Sequence, residues 1–321
     1  MRNIILILLL FSALVKVAGQ DNLDAKDRER ISRNKVKRQI QLSFDYDKGK
    51  PGTKGYKSAA TTYDKSGNIT EVINYKANGD ITSVLTYTYD AKGNKTSYSR
   101  YKGNKSELTY NQNIKYDAKG NKILESGFDG VSKFNNTFTY DANGKLAEIK
   151  YITDSILTEK RIFKNTGNSV ELTVVNNANT IVSKEITTYD GKKNILEEVK
   201  YIQDNVTQKY NYAYDPNGKK VVETKEHFGK LAYRRKYTYD ATGNLLQVTE
   251  EKEGVKPITT FTYKYDPKGN VIEEKWTKDT ASEYSKKAHK YDVKGLLIES
   301  DCYLASYKFS VLYKFTYENY Q

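Results

Sequence analysis

Two imidazoles, His227 and His289, and one thiol, Cys302, are all this 321-residue chain offers for a His-based relay or a soft-metal site. The histidines lie in separate stretches, and Cys302 has neither a nucleophile-elbow context nor a nearby His to activate it. Packing within strands is the expected role of all three, and no catalytic residue is assigned. A single Cys excludes a disulfide framework and a Cys-rich zinc site. Asp and Glu total 40, yet the paired acids of a glycosidase cannot be chosen from a series of equivalent copies. Asp-x-x-Gly-Asn segments carry oxygens suited to calcium, but one carboxylate per segment is too few. No metal or cofactor is expected, and no phosphate loop or metalloprotease motif is present. Lys plus Arg total 53, for a net charge of +13, with 29 Tyr interleaved. That balance could suit nucleic acid. The lysines, however, are spread along the chain, with Arg234-Arg235-Lys236 the densest patch. Solvated lysines that discourage edge pairing are the better reading, and no nucleic-acid partner is expected. Asp154-Ser155-Ile156 and Asp279-Thr280-Ala281 look like Asp-Ser/Thr-apolar O-glycosylation acceptors, which makes Ser155 and Thr280 candidates for modification.

The carboxylates recur because their surroundings do. Tyr-Asp-x-x-Gly stands at Tyr63, Asp64 and Gly67; Tyr89, Asp90 and Gly93; Tyr116, Asp117 and Gly120; and Tyr140, Asp141 and Gly144. It returns at Tyr214, Asp215 and Gly218; Tyr239, Asp240 and Gly243; Tyr265, Asp266 and Gly269; and Tyr291, Asp292 and Gly295. Phe163-Lys164 and Tyr189-Asp190 fill the gap, and Tyr317-Glu318 ends a series whose steps run from 23 to 27 residues. Such a period signals a repeat architecture. Asp can accept a backbone N–H across a turn, and Gly supplies the positive φ that closes a type I turn with a bulge. The copy at Tyr189 has Lys193 in the Gly slot, so a distorted turn is expected, with Gly191 or Asn194 left-handed. Leu85-Tyr87-Tyr89 and Phe261-Tyr263-Tyr265 alternate with polar residues, the mark of half-buried strands. Looser second turns fall at Lys102-Gly103-Asn104, Asp129-Gly130, Asp204-Asn205 and Glu253-Gly254. The fold class is therefore all-β: an antiparallel meander of roughly twenty strands that must curl, spiral or cover itself.

Ahead of the repeats, Met1-Arg2-Asn3 and the apolar run Ile4 to Val15 read as a secretory signal peptide over 1–19, cleaved between Gly19 and Gln20. The run is too short for a membrane span, and no later segment is apolar enough to make one. Residues 20–40 mix both charge signs and are expected to form a linker or a short exposed helix. Residues 41–321 form the repeat domain.

The Tyr-Asp-x-x-Gly spacing over about residues 46–318 resembles the Rhs/YD-repeat family, which includes bacterial wall-associated proteins and teneurins. The resemblance implies long β-hairpin sheets that can wind into a hollow shell, in some members carbohydrate-binding and in some enclosing a C-terminal toxin. Here Asn68, Asn94, Asn121, Asn168, Asn244 and Asn270 follow the Gly where the family often has Arg. Because the repeats run to Tyr317, the chain looks like a short secreted Gram-negative member without a toxin domain. The expected function is a non-enzymatic binding or scaffold module, periplasmic or at the outer surface, with a glycan or an envelope protein as partner. The alternatives are a component of a surface assembly joined through open sheet edges and, less favoured, a carbohydrate-active enzyme.

Overall fold

The computed structural model describes residues 20–277 and 283–321; the signal sequence and Thr280 lie outside them. In each Tyr-Asp copy the Asp builds the turn. At Asp90, the backbone N–H bonds to Asn94 O at 2.9 Å and Gly93 N–H to Asp90 O at 3.0 Å. Asp90 Oδ1 accepts the N–H groups of Lys92 and Asn94, and Oδ2 accepts the Asn94 amide, all at 2.9 Å. Gly93 adopts φ +81. The same Asn-to-Asp amide bond recurs at Asn68, Asn121, Asn194, Asn244 and Asn270. The Asn after the Gly is thus a turn-building residue, holding the carboxylate that holds the backbone.

Two copies differ instructively. The turn at Asp190 is regular, contrary to the expected distortion: Asp190 N–H reaches Asn194 O at 2.9 Å and Lys193 N–H reaches Asp190 O at 3.1 Å. Lys193 itself takes the left-handed conformation, at φ +69. The Asp190–Asn194 bonds offset the roughly 1–2 kcal/mol that a non-Gly residue loses there. Where Phe163-Lys164 replaces Tyr-Asp, no carboxylate starts a turn. The strand instead runs on to Thr166, which pairs directly with Ser169 around Gly167 and Asn168.

The anchor tyrosines join neighbouring hairpins. Tyr89 OH donates to Ile69 O at 2.9 Å and Tyr214 OH to Ile195 O at 2.8 Å. Tyr116, Tyr140, Tyr239, Tyr265, Tyr291 and Tyr317 make the same bond to the preceding hairpin. This is why the position calls for Tyr and not Phe: the ring packs on the pleat while the hydroxyl satisfies a carbonyl at the strand end. Lys92, Lys192 and Lys268 add a second tie, each donating to a carbonyl of the next turn.

The described residues form twenty-three strands in one antiparallel sheet. The first, Val36–Asp47, pairs on one side with Tyr56–Tyr63 (Arg38↔Thr62) and on the other with the last, Phe309–Asn319 (Gln39↔Tyr317). The two-residue strand Lys50–Pro51 pairs with the first strand, and the other strands close a 22-strand barrel. Among curling, spiralling and self-covering, the sheet curls until its ends meet, which satisfies both edges. All the Tyr-Asp turns lie on one rim and the second turns on the other. Residues 20–40 are neither wholly linker nor wholly exposed: a helix, Gln20–Arg33, lies against the Tyr-Asp rim, and Val36 already begins the first strand. Ile31, Val36, Tyr63 and Leu296 form a buried cluster at the closure, with Tyr317 packed against it. No described helix is long and apolar enough to cross a membrane.

A candidate polar site on the tyrosine face

The face carrying the anchor tyrosines also buries charge. Glu223 and Glu250, on the strands Lys220–His227 and Leu245–Lys252, are 8% and 5% exposed. The intervening strand Lys230–Tyr239 supplies Tyr233, Arg235 and Tyr237, which alternate onto this face. Glu223 Oε2 accepts Lys220 Nζ at 2.5 Å and Tyr237 OH at 3.0 Å. Glu223 Oε1 accepts Tyr233 OH at 2.8 Å and faces Arg235 at 3.6 Å. Arg235 bonds Glu250 Oε2 at 2.8 Å, and Lys252 reaches Glu250 Oε1 at 3.2 Å. The cations also stack: Arg235 lies 4.1 Å from the Tyr233 ring centre and Lys220 4.7 Å from that of Tyr237.

Burial by itself pushes the Glu223 carboxyl up, but Lys220 and the two tyrosine hydroxyls hold it net below the usual range. Burial, then the Glu223 charge, raises Tyr233 and Tyr237 well above ordinary phenols. The site is therefore ionised at the carboxylate and neutral at the phenols. Both Glu223 oxygens and both Glu250 oxygens already face donors. These donors hold both carboxylates in a charge-paired network within the wall.

The motif extends to both sides. Tyr212 OH donates to Glu198 Oε2 at 2.5 Å, and Glu274 faces Lys287 at 3.1 Å and His289 at 3.8 Å. His289 thus stands where Tyr237 and Tyr212 stand in other copies, and its Nδ1 is buried with no hydrogen-bond partner among the described residues. Cys302 is buried at 4% exposure, and burial raises its thiol. His227 ends its strand at a second turn, next to Phe228, their rings 4.5 Å apart. The structure does not bring these three into a relay. In six turns one Asp oxygen accepts backbone N–H groups and the other an Asn amide; at Asp141, Asp215 and Asp292 the backbone bonds fall on Oδ1. Ser155 is exposed in the turn Asp154–Ser155, both left-handed at φ +48 and +70.

A second feature is aromatic. Tyr87, Tyr98, Tyr110 and Phe134 form a half-buried ladder with ring centres 5.1, 5.4 and 6.2 Å apart. On the strand between the last two, Gly127 leaves the space that the Phe134 ring fills; a Cβ there would lie 2.9 Å from that ring. Of these four rings the period-two alternation marks Tyr87; Tyr98, Tyr110 and Phe134 join it through strand pairing. The Glu223–Glu250 network is a finding of the structure, although a Glu five residues after the Gly slot of the turn recurs at Glu125, Glu223 and Glu274, and at Glu198 where Lys193 fills that slot.

A family model described as Teneurin YD-shell matches residues 128–318. No curated protein matches the sequence. Among solved structures, the chain resembles those of TcdB2-TccC3-TEV (11% identity, TM-score 0.34) and TcdB2-TccC3-Cdc42 (12%, 0.37). Each alignment covers 82% of this chain and 16% of the other, so the chain spans about a sixth of those proteins. A porin-like protein from Bacteroides uniformis aligns over 89% of this chain and 97% of its own, at 10% identity and TM-score 0.31.

Proposed function

The chain belongs to the Teneurin YD-shell family, and from that premise we propose that it is an exported, non-enzymatic scaffold whose barrel wall binds a glycan. The shell fold supports the scaffold reading, as does a Glu223–Glu250 network whose carboxylates are paired with Lys220, Arg235, Lys252 and two tyrosine hydroxyls. One observation carries glycan binding: the ladder Tyr87–Tyr98–Tyr110–Phe134, four half-buried rings in series. Sugar rings present C–H faces that pack on aromatic rings, and a tyrosine supplies a polar edge beside its apolar face. Cleavage after Gly19 would deliver the chain to the periplasm or outer surface of a Gram-negative cell.

Closure of the sheet removes the open edges through which an assembly by strand addition would form, so a surface-assembly role would have to use the rims. The test is a glycan screen followed by titration calorimetry with Tyr98→Ala/Tyr110→Ala. Binding by the wild type that the double variant loses, with thermal unfolding still cooperative, supports the proposal. Absence of binding to neutral and acidic envelope glycans at low salt overturns it.

A further inference from the structure

We propose that the cleft between the last turn of the helix Gln20–Arg33 and two neighbouring Tyr-Asp turns is an oxyanion site for phosphate or sulfate groups. The cleft holds about 210 Å³ and is lined by Arg30, Arg33, Lys268, Asn270 and Lys294, with Val293 and Gly295 at its edge. Four cations from three separate elements converge there. No carboxylate among the described residues lines the cleft with them. Asp27 offsets part of the Arg30 charge at 3.0 Å. The turn carboxylates nearby bind their own turns: Asp266 accepts Lys268 N–H, Asn270 N–H and the Asn270 amide through both oxygens, and Asp292 accepts Lys294 N–H and Leu296 N–H through Oδ1.

Arginines in the last turn of a helix are favourable on their own, because cations complement the carbonyl end of the helix dipole. That accounts for Arg30 and Arg33. It does not account for Lys268 and Lys294, which come from the barrel and approach the arginines against their own repulsion. Arg30 is already positioned: it donates to Asn270 Oδ1 at 2.8 Å, while the Asn270 amide is held by Asp266 at 2.7 Å. Lys268 spends one donor on Val293 O at 3.1 Å and keeps two. The guanidinium fork and the ammonium groups match the oxygens of a tetrahedral anion through charge-assisted bonds. The volume is several times the roughly 30 Å³ of one water, enough for such a group. A bound oxyanion would tie the helix to the turns beside the barrel closure, so occupancy should register as stability. This site stands apart from the aromatic ladder and does not rest on the glycan reading.

The experiment is thermal unfolding and titration calorimetry of the purified chain with sodium phosphate and sodium sulfate, against sodium chloride at equal ionic strength. The expected result is a saturable rise in unfolding temperature with a millimolar midpoint. Arg33→Gln/Lys294→Gln should weaken that midpoint by about tenfold or more, since two charged donors are lost. Lys119→Gln, which alters the same turn position in a copy remote from the helix, should leave it unchanged. A rise that does not saturate, or is identical in the double variant, is the general stabilisation given by excluded salts and overturns the proposal. Inorganic phosphate binding with no response to a sulfated oligosaccharide would identify a free-anion site; a response to both, lost together in the double variant, would place the group on a glycan.

Discussion

Gly67 and Gly93 occupy the same turn position with nearly the same backbone, φ +82 and +81, yet their surroundings differ. A Cβ on Gly93 meets nothing within 4 Å, whereas one on Gly67 would lie 2.2 Å from the backbone oxygen of Arg28. Alanine at either site loses about 1–2 kcal/mol to the left-handed conformation. At Gly67 it must also push the helix off the rim. That exposes Ile31, a burial worth about 1.5–3 kcal/mol, and breaks the 2.8 Å Arg30–Asn270 bond, a charged hydrogen bond worth a further 1.5–3 kcal/mol or so. Freeing the helix returns chain entropy and cancels part of this, so the additional loss should come to about 2–4 kcal/mol. Urea unfolding of Gly67→Ala and Gly93→Ala measures the difference, and limited trypsin digestion reports whether Arg28, Arg30 and Arg33 become accessible. Gly67→Ala should be the less stable and should be clipped in the helix while the barrel persists. Equal midpoints with equal resistance to trypsin would refute docking of the helix on this turn.

Other consequences follow from the hydrogen-bond pattern. Glu223→Ala leaves Lys220 and Arg235 facing a lost partner and should cost about 3–5 kcal/mol in denaturant unfolding, with Glu223→Gln milder; a loss under 1 kcal/mol would mean the site is hydrated. Tyr214→Phe keeps the ring but orphans Ile195 O, an expected loss of about 0.5–1.5 kcal/mol, and an unchanged midpoint would deny the hydroxyl its tie. Burial raises Tyr87, Tyr265, Tyr291 and Tyr317 to about 12. A folded value above the unfolded value of 10.0 gives stability that is complete below that pH and disappears as the pH climbs towards 12. Tyrosinate absorbance should therefore lag behind free tyrosine and then rise together with unfolding; a simple titration centred on 10 would contradict this. At the acid end, Asp240 is held at about 2, first by Asn244 and then by Thr242. Its contribution is present above the ordinary aspartate value and fades as pH falls towards 2; Asn244→Ala should move acid unfolding to higher pH.

Much of the wall could be read from the residues because each unit solves its problems locally. Asp and Gly mark the turn, and alternation at Leu85-Tyr87-Tyr89 marks the face. What escaped the sequence was relational. Asn94 looked like a departure from the family pattern, yet its amide is what fixes Asp90. Tyr89 looked like a packing ring, and its hydroxyl turns out to reach a carbonyl 20 residues earlier. Lys193 looked like a defect, but the neighbouring Asp190–Asn194 bonds carry the turn without glycine in the left-handed slot. Glu223 could not be distinguished from other strand glutamates until Tyr233, Arg235 and Tyr237 were seen to converge on it.

Closure was the least legible feature, since nothing local to Val36–Asp47 says that it pairs with both ends. Its register is nevertheless constrained. Gln39 lies opposite Tyr317 on one side and Thr61 on the other. The Gln39 amide donates to Tyr317 OH at 2.9 Å, which in turn donates to Leu297 O at 2.6 Å. The last anchor tyrosine thereby donates to the preceding hairpin on the same plan as the others, with the first strand supplying a donor to its hydroxyl oxygen. The matched family segment, 128–318, contains the last strand but not the first. The repeats alone define an open array whose stability would be a sum of neighbour terms. The first strand and the helix turn that array into a ring in which every unit has two neighbours, so the ends that would fray first are tied to each other. Opening the ring must expose two sheet edges at once, and the apolar cluster of Ile31, Val36, Tyr63 and Leu296 sits where that opening would begin.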